Sequence, residues 1–255
     1  MIDSLVLSFS LILARTGAFV SVLPLLGGRS TPHTVKVGLA VALAVLYFML
    51  LGGKATPPAL VDSGPVSWLC FGMVVVKEVL LGGFLGYVMG LVLLPVQIAG
   101  DYLGQEMGLA LAAQADPTAT NPSLVVSQLF QMLAGILFLG LNGHHLFLAA
   151  LHSTFQYVPL GGWSGFSAAE PMTAGLASAH EWGLMLAAPV GALLFLSSII
   201  LALINRAAPQ MNLFSVGFGL RIGLGLAALF LLMPDFVKAL VRSITHMSAL
   251  LERLV

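Results

Sequence analysis

Four ionisable residues interrupt otherwise apolar stretches of this sequence: Arg15, Lys77, Glu78 and Arg221. A charge in apolar surroundings is costly unless it is paired. As i,i+1 neighbours on a helix, Lys77 and Glu78 point to different faces and cannot satisfy one another, so each needs its own partner. Arg15 and Arg221 either pair with an acid of a neighbouring subunit or extend toward the headgroups. A second polar feature is the row Gln97, Asp101 and Gln105. Its four-residue spacing places all three on one helix face, where they either line an aqueous path or mark the emergence of the helix from the membrane.

Catalytic readings are weaker. The tetrapeptide GWSG at 162–165 has the form that holds a nucleophilic serine in intramembrane proteases, and His144, His145, His152 and His180 offer bases for Ser164. That motif must open a membrane helix, whereas Ser164 is followed by FSAAEPM. The histidines have no carboxylate or cysteine at metal-ligand spacing, so neither a metal nor another cofactor is expected. Cys70, the single cysteine, reads as a small apolar filler. No enzymatic activity is expected.

Glycines recur at helical spacing in three sets: Gly82, Gly86 and Gly90; Gly100, Gly104 and Gly108; and Gly219 and Gly223 followed by Ala227. Each set lets another backbone approach closely, within the chain or from another subunit. Three such sets in one chain point to an assembled bundle.

The elements that carry these residues are membrane helices. The chain is 59% hydrophobic and only 8% charged, with mean hydropathy +1.04, where soluble domains carry roughly 25% charged residues. Ten basic residues balance ten acidic ones, leaving no cationic surplus for nucleic acid. Between Asp116 and Arg206 the only ionised side chains are Glu170 and Glu181. Hydrophobic segments fall near 5–26, 36–53, 67–100, 123–141, 183–204 and 211–233. The first lacks a basic n-region and a clear cleavage site and reads as a retained helix. The breaks hold turn residues, among them Gly28, Arg29 and Pro32, and later Arg206, Pro209, Gln210 and Asn212. The second group is expected to form a fixed, hydrogen-bonded turn between the last two long helices.

Two features depart from a simple serpentine. The run from residue 67, continued to about 112, would make a helix of roughly 60 Å, with Pro95 expected to kink it. Loop charges give no consistent orientation. From residue 236 to 255, Val237, Leu240, Val241, Ile244, Met247, Leu251 and Leu254 recur at spacings of three and four with Lys238, Arg242, Thr245, His246 and Arg253 opposite, so an amphipathic tail helix is expected. It lies on the membrane surface or packs on a partner.

The segments at 15–45, 100–151, 155–161 and 206–225, including GDYLGQEMGLALAAQADPTATNPS and RAAPQMNLFSVGFGLRIGLG, resemble the FliR family of flagellar type III export-gate proteins. The resemblance is colinear from about residue 8 to 235. An injectisome family, SctT, shares the R-x-A-P-Q-x-N core, but LFSVGF is more similar to the flagellar branch. The resemblance implies an all-α, membrane-associated bundle of long bent helical hairpins, acting as a single domain over residues 1–255. It implies one copy in a gate core with FliP-like and FliQ-like subunits, near FlhB-like and FlhA-like proteins, in the bacterial inner membrane at the flagellar basal body. The core would be raised toward the periplasm and pass unfolded flagellar proteins, with membrane lipid around it. The family's channel plug maps onto Gly108 to Asn121, including Leu109, Leu111, Gln114, Asp116 and Pro117. Relatives often carry Phe where this chain has Leu111 and Gln114, so the seal relies less on aromatic packing. The competing class is a secondary transporter of small solutes, whose inverted repeats are not evident here.

Overall fold

The computed structural model describes residues 2–24, 32–51, 68–109, 124–162, 169–207 and 213–252. Eight helices and no strands are found among them: α1 (Ile2–Val22), α2 (His33–Leu50), α3 (Trp68–Gly90), α4 (Leu94–Glu106), α5 (Leu124–Gly140), α6 (Gly143–Tyr157), α7 (Ala169–Ala207) and α8 (Leu213–Glu252). Five helical stretches are long and apolar enough to cross a membrane, in α1, α2, α3, α7 and α8, and the bent pair α5–α6 makes a sixth if counted as one broken span. The chain is an all-α membrane bundle.

The overlong helix expected from residue 67 is in fact two. It stops at Gly90 and restarts at Leu94, with Pro95 in the first turn of α4. Proline lacks an N–H, and at that position no intrahelical bond is lost, so it opens a helix more cheaply than it interrupts one. The segment expected to end at 141 continues after a 73° bend into α6, around Asn142, which adopts a left-handed conformation at φ 58°. The span expected at 183–204 begins earlier, at Ala169, and α7 runs through Pro189. The amphipathic tail is not a separate element, because α8 passes through Pro234 without a break. Its two-faced character is as expected: Leu240, Ile244 and Met247 are buried, while Lys238, Arg242 and His246 are exposed.

The helices form two compact units. In the first, made of residues 1–91, 142–175 and 248–255, α1 packs against both α2 and α3. The buried stripe of α1 is Ser8, Leu11, Ile12, Arg15, Thr16, Phe19 and Val20, the i, i+3, i+4 pattern of one helix face. From α2 it meets Ala40 and Ala44, small residues that let the axes come close. The hydroxyl of Thr16 donates to Ile12 O at 2.9 Å and lies 3.4 Å from Ala40 O across the interface. Tyr47 stacks on Phe155 of α6 at 4.6 Å between ring centroids.

In the second unit, residues 92–141 and 176–247, α4 packs on α5 through Val96, Ala99, Gly100, Leu103 and Gly104. Phe130 of α5 packs on Phe236 of α8 at 4.4 Å. Gly183 and Gly191 of α7 face Ile98 and Tyr102 of α4, where a Cβ would lie 2.8 and 3.0 Å from the nearest side-chain atom.

Candidate functional site

The strongest polar centre is built inside the first unit. Arg15 lies on the buried stripe of α1 and Glu78 on the inward face of α3, in register with Val74, Leu81 and Leu85. Arg15 Nε donates to Glu78 Oε2 at 2.6 Å, and both side chains are essentially inaccessible. Arg15 Nη1 also donates to the carbonyls of Thr154 and Val158, at 3.1 and 3.0 Å. The guanidinium sits 4.5 Å from the Phe155 ring centroid, close enough for a cation–π contribution. The other oxygen of Glu78 accepts from Gly161 N–H at 2.7 Å. Gly161 has φ +77°, a conformation that glycine adopts without steric cost. One ion pair thus joins α1, α3, the end of α6 and the turn after it. Such a charge-assisted network is strong because all four elements satisfy it at once.

This pairing corrects one expectation, since the partner of Arg15 is an acid of its own chain and not of a neighbouring subunit. Lys77, about 100° round α3 from Glu78, is exposed. Arg221 is half-buried on α8, its Nε buried and without a partner among the described residues.

The glycine sets divide. A Cβ on Gly82 would collide with the carbonyl oxygen of Arg15, one on Gly86 would lie 2.8 Å from Phe19 O, and one on Gly100 would lie 2.5 Å from Ser127 Cα. These three hold close helix contacts within the chain. Gly90 makes only an ordinary contact, 4.0 Å from Pro24 Cδ, and Gly104 is buried in the α4 face. Gly219 and Gly223 have nothing within 4 Å and lie with Leu220 and Leu224 on an exposed stripe of α8.

The polar row on α4 falls on one outward face: Gln97 and Gln105 are exposed and Asp101 is half-buried. The helix ends at Met107 and Gly108, whose φ of +80° lets the chain turn away where a β-carbon would be strained. Gly108 N–H donates to Gln105 O at 2.9 Å, and Phe218 of α8 packs 3.2 Å from the position a Cβ would take on Gly108. Leu109 is half-buried. The remaining plug residues named above, Leu111, Gln114, Asp116 and Pro117, lie outside the described residues, as do Gly28, Arg29, Ser164, Pro209, Gln210 and Asn212. Pro32 stands at the N-cap of α2, and Arg206 is exposed in the last turn of α7, where a cation complements the helix dipole. Among the described residues no three of His, Cys, Asp and Glu gather closely enough to hold a metal ion.

Comparison with known proteins decides the family. Residues 6–247 match the model of bacterial export proteins, family 1. The chain belongs to the FliR family. It is 34% identical to the flagellar biosynthetic protein FliR of Escherichia coli over 230 residues, covering 87% of this chain and 82% of that protein. It is 30% identical to FliR of Bacillus subtilis, covering 89% and 86%. The surface presentation of antigens protein SpaR of Shigella sonnei is more distant, at 23% identity over 73% of this chain and 72% of that protein. As a FliR-family member with several helices long and apolar enough to cross a membrane, the chain is a flagellar export-apparatus subunit of the bacterial inner membrane.

Proposed function

We propose that the chain forms part of the export channel and that the segment following α4 closes it. The observation that carries this reading is the placement of Gln97, Asp101 and Gln105 on the outward face of a short helix that ends at Gly108. A polar face among apolar helices needs water or another polar surface, and here it leads directly to the position that the resemblance gives the plug. The sequence from 108 to 121 is rich in Gly, Ala and Thr, with few bulky side chains to hold it in place, so its displacement has a small energetic cost. Leu109 and Leu111 supply apolar surface to exclude ions. In this reading the passengers are unfolded flagellar proteins, and the neighbours are FliP-like, FliQ-like, FlhB-like and FlhA-like subunits, with all of residues 1–255 acting as one gate component. The lengths of α7 and α8, 39 and 40 residues, correspond to roughly 60 Å each, twice the hydrocarbon core. That excess fits a gate core extending beyond the membrane, and in this reading the extension is on the periplasmic side.

Deleting Leu111 to Asp116 tests the plug. The assembled complex should keep its subunits while membrane leak to small ions rises severalfold and growth slows. A surface connector would tolerate the deletion without leak. A deletion complex as tight as the intact one, at matched levels, would refute the plug assignment.

A further inference from the structure

The end of α4 lies in a crevice between α7 and α8, and two opposite charges border that crevice without meeting. On α8, Gly217 faces α7, where a Cβ would lie 3.3 Å from Leu201 Cδ1, and Gly225 faces the Met107 side chain at the end of α4. Phe218 packs against Gly108. Arg221 is four residues from each of these glycines and three from Phe218, so it shares their face of α8. On α4, Tyr102 packs against Gly191 of α7, and Glu106 follows one turn later on the same side.

Both charges are half-buried, and neither has an ion pair or hydrogen bond to any described residue. A charge in so apolar a setting is costly while it is unpaired. The other charges of these helix ends face elsewhere. Asp101 belongs to the outward polar row, about 140° round α4 from Glu106, and Arg206 is exposed, about 140° round α7 from Leu201. Two residues beyond Glu106 stands Gly108, with φ +80°. A glycine at a helix end absorbs changes in φ and ψ that other residues resist, which suits a hinge.

We infer that Glu106 and Arg221 close on one another in the assembled, shut gate, and that this ion pair is the latch that sets how the chain leaves α4 at Gly108. The inference rests on the proposed closing role of the segment after α4 and adds what holds its base. Both are positioning residues, acting through the backbone at Gly108. Their burial distinguishes them from Arg15 and Glu78, which are inaccessible and so fixed. A half-buried pair gains more from its attraction than a surface pair, yet stays close enough to water to separate when the hinge turns.

The test compares assembled complexes at matched levels for leak of small ions. Glu106→Gln and Arg221→Gln should each raise the leak severalfold, and the two together should leak no more than either alone, because one interaction is lost in all three. Exchanging the charges, Glu106→Arg with Arg221→Glu, should restore a tight gate. The isolated subunits should melt as the wild type does, since the pair is not formed in the single chain. Tight single variants, additive leaks, a leaky exchange variant or a lowered melting temperature would each overturn the latch. Deletion of Leu111 to Asp116 is the reference: if it leaks while the single variants stay tight, the closing segment stands and the latch falls. If the deletion complex is itself tight, the closing role fails and the latch with it.

Discussion

Replacing Glu78 with Gln or Ala should lower the melting temperature of the detergent-solubilised subunit by about 10 °C, because it leaves the Arg15 guanidinium buried without its counter-charge. Breaking one side of a buried pair costs about 3–5 kcal/mol, and for a chain of this size each kcal/mol shifts the midpoint by roughly 2–4 °C. Among the described residues the Arg15 Nη2 is already buried without a partner, so losing the carboxylate would add a second unsatisfied donor. The double change Arg15→Met with Glu78→Leu should recover most of the stability, since it removes both charges together and fills the space with apolar atoms. Recovery separates a charge effect from loss of packing. A Glu78→Gln subunit that melts within about 2 °C of wild type would contradict the role assigned to the pair.

The ion pair also shows what could be read from sequence and what could not. Arg15 and Glu78 are 63 positions apart, and nothing local joins them. The face on which each charge falls was nonetheless legible: Arg15 repeats with Leu11, Ile12 and Phe19, and Glu78 with Val74, Leu81 and Leu85. Two opposite charges, each centred on the apolar face of its own helix, have reason to meet when those faces pack. The contributions of the Thr154 and Val158 carbonyls and of Gly161 N–H had no such signal, because every residue carries these groups and only the tertiary fold aims them.

The fold was legible where hydropathy and length are decisive. The five stretches that pass as spans, α1, α2, α3, α7 and α8, all contain segments marked by apolar composition, and the all-α character follows from the need to satisfy backbone groups internally in lipid. Two of the departures fall at prolines, Pro95 and Pro234. Pro95 begins a helix after a three-residue break, whereas Pro189 and Pro234 lie within unbroken helices, which membrane helices tolerate when neighbouring groups satisfy the freed carbonyl. Residue type alone does not distinguish these outcomes. The bend at Asn142 was hidden for a similar reason, since apolar residues flank it on both sides and only a left-handed φ marks it. Among the glycines, spacing identified faces suited to close approach but not which were occupied. Gly82, Gly86 and Gly100 meet the chain's own backbone or side chains, while Gly219 and Gly223 remain open.

That division among glycines predicts opposite signs for the same substitution. Gly82→Ala should destabilise the subunit by at least about 3 kcal/mol, at the upper end of overpacking costs, because the obstacle to the new methyl group is the Arg15 carbonyl. A backbone oxygen cannot rotate away as a side chain can. The helices α1 and α3 must therefore separate, and separation also lengthens the 2.6 Å contact between Arg15 and Glu78, so two stabilising contributions are lost together. Gly38→Ala, in α2 with nothing within 4 Å, should be neutral or stabilise by about 0.5–1 kcal/mol through helix propensity alone. Thermal unfolding of the two variants side by side makes the comparison, with the wild type between them. Both changes add the same methyl group to a helix interior, so general sensitivity to alanine would move them alike. If Gly82→Ala matched Gly38→Ala, the close approach of α1 and α3 would not hold, and the buried ion pair that depends on it would lose its geometric basis.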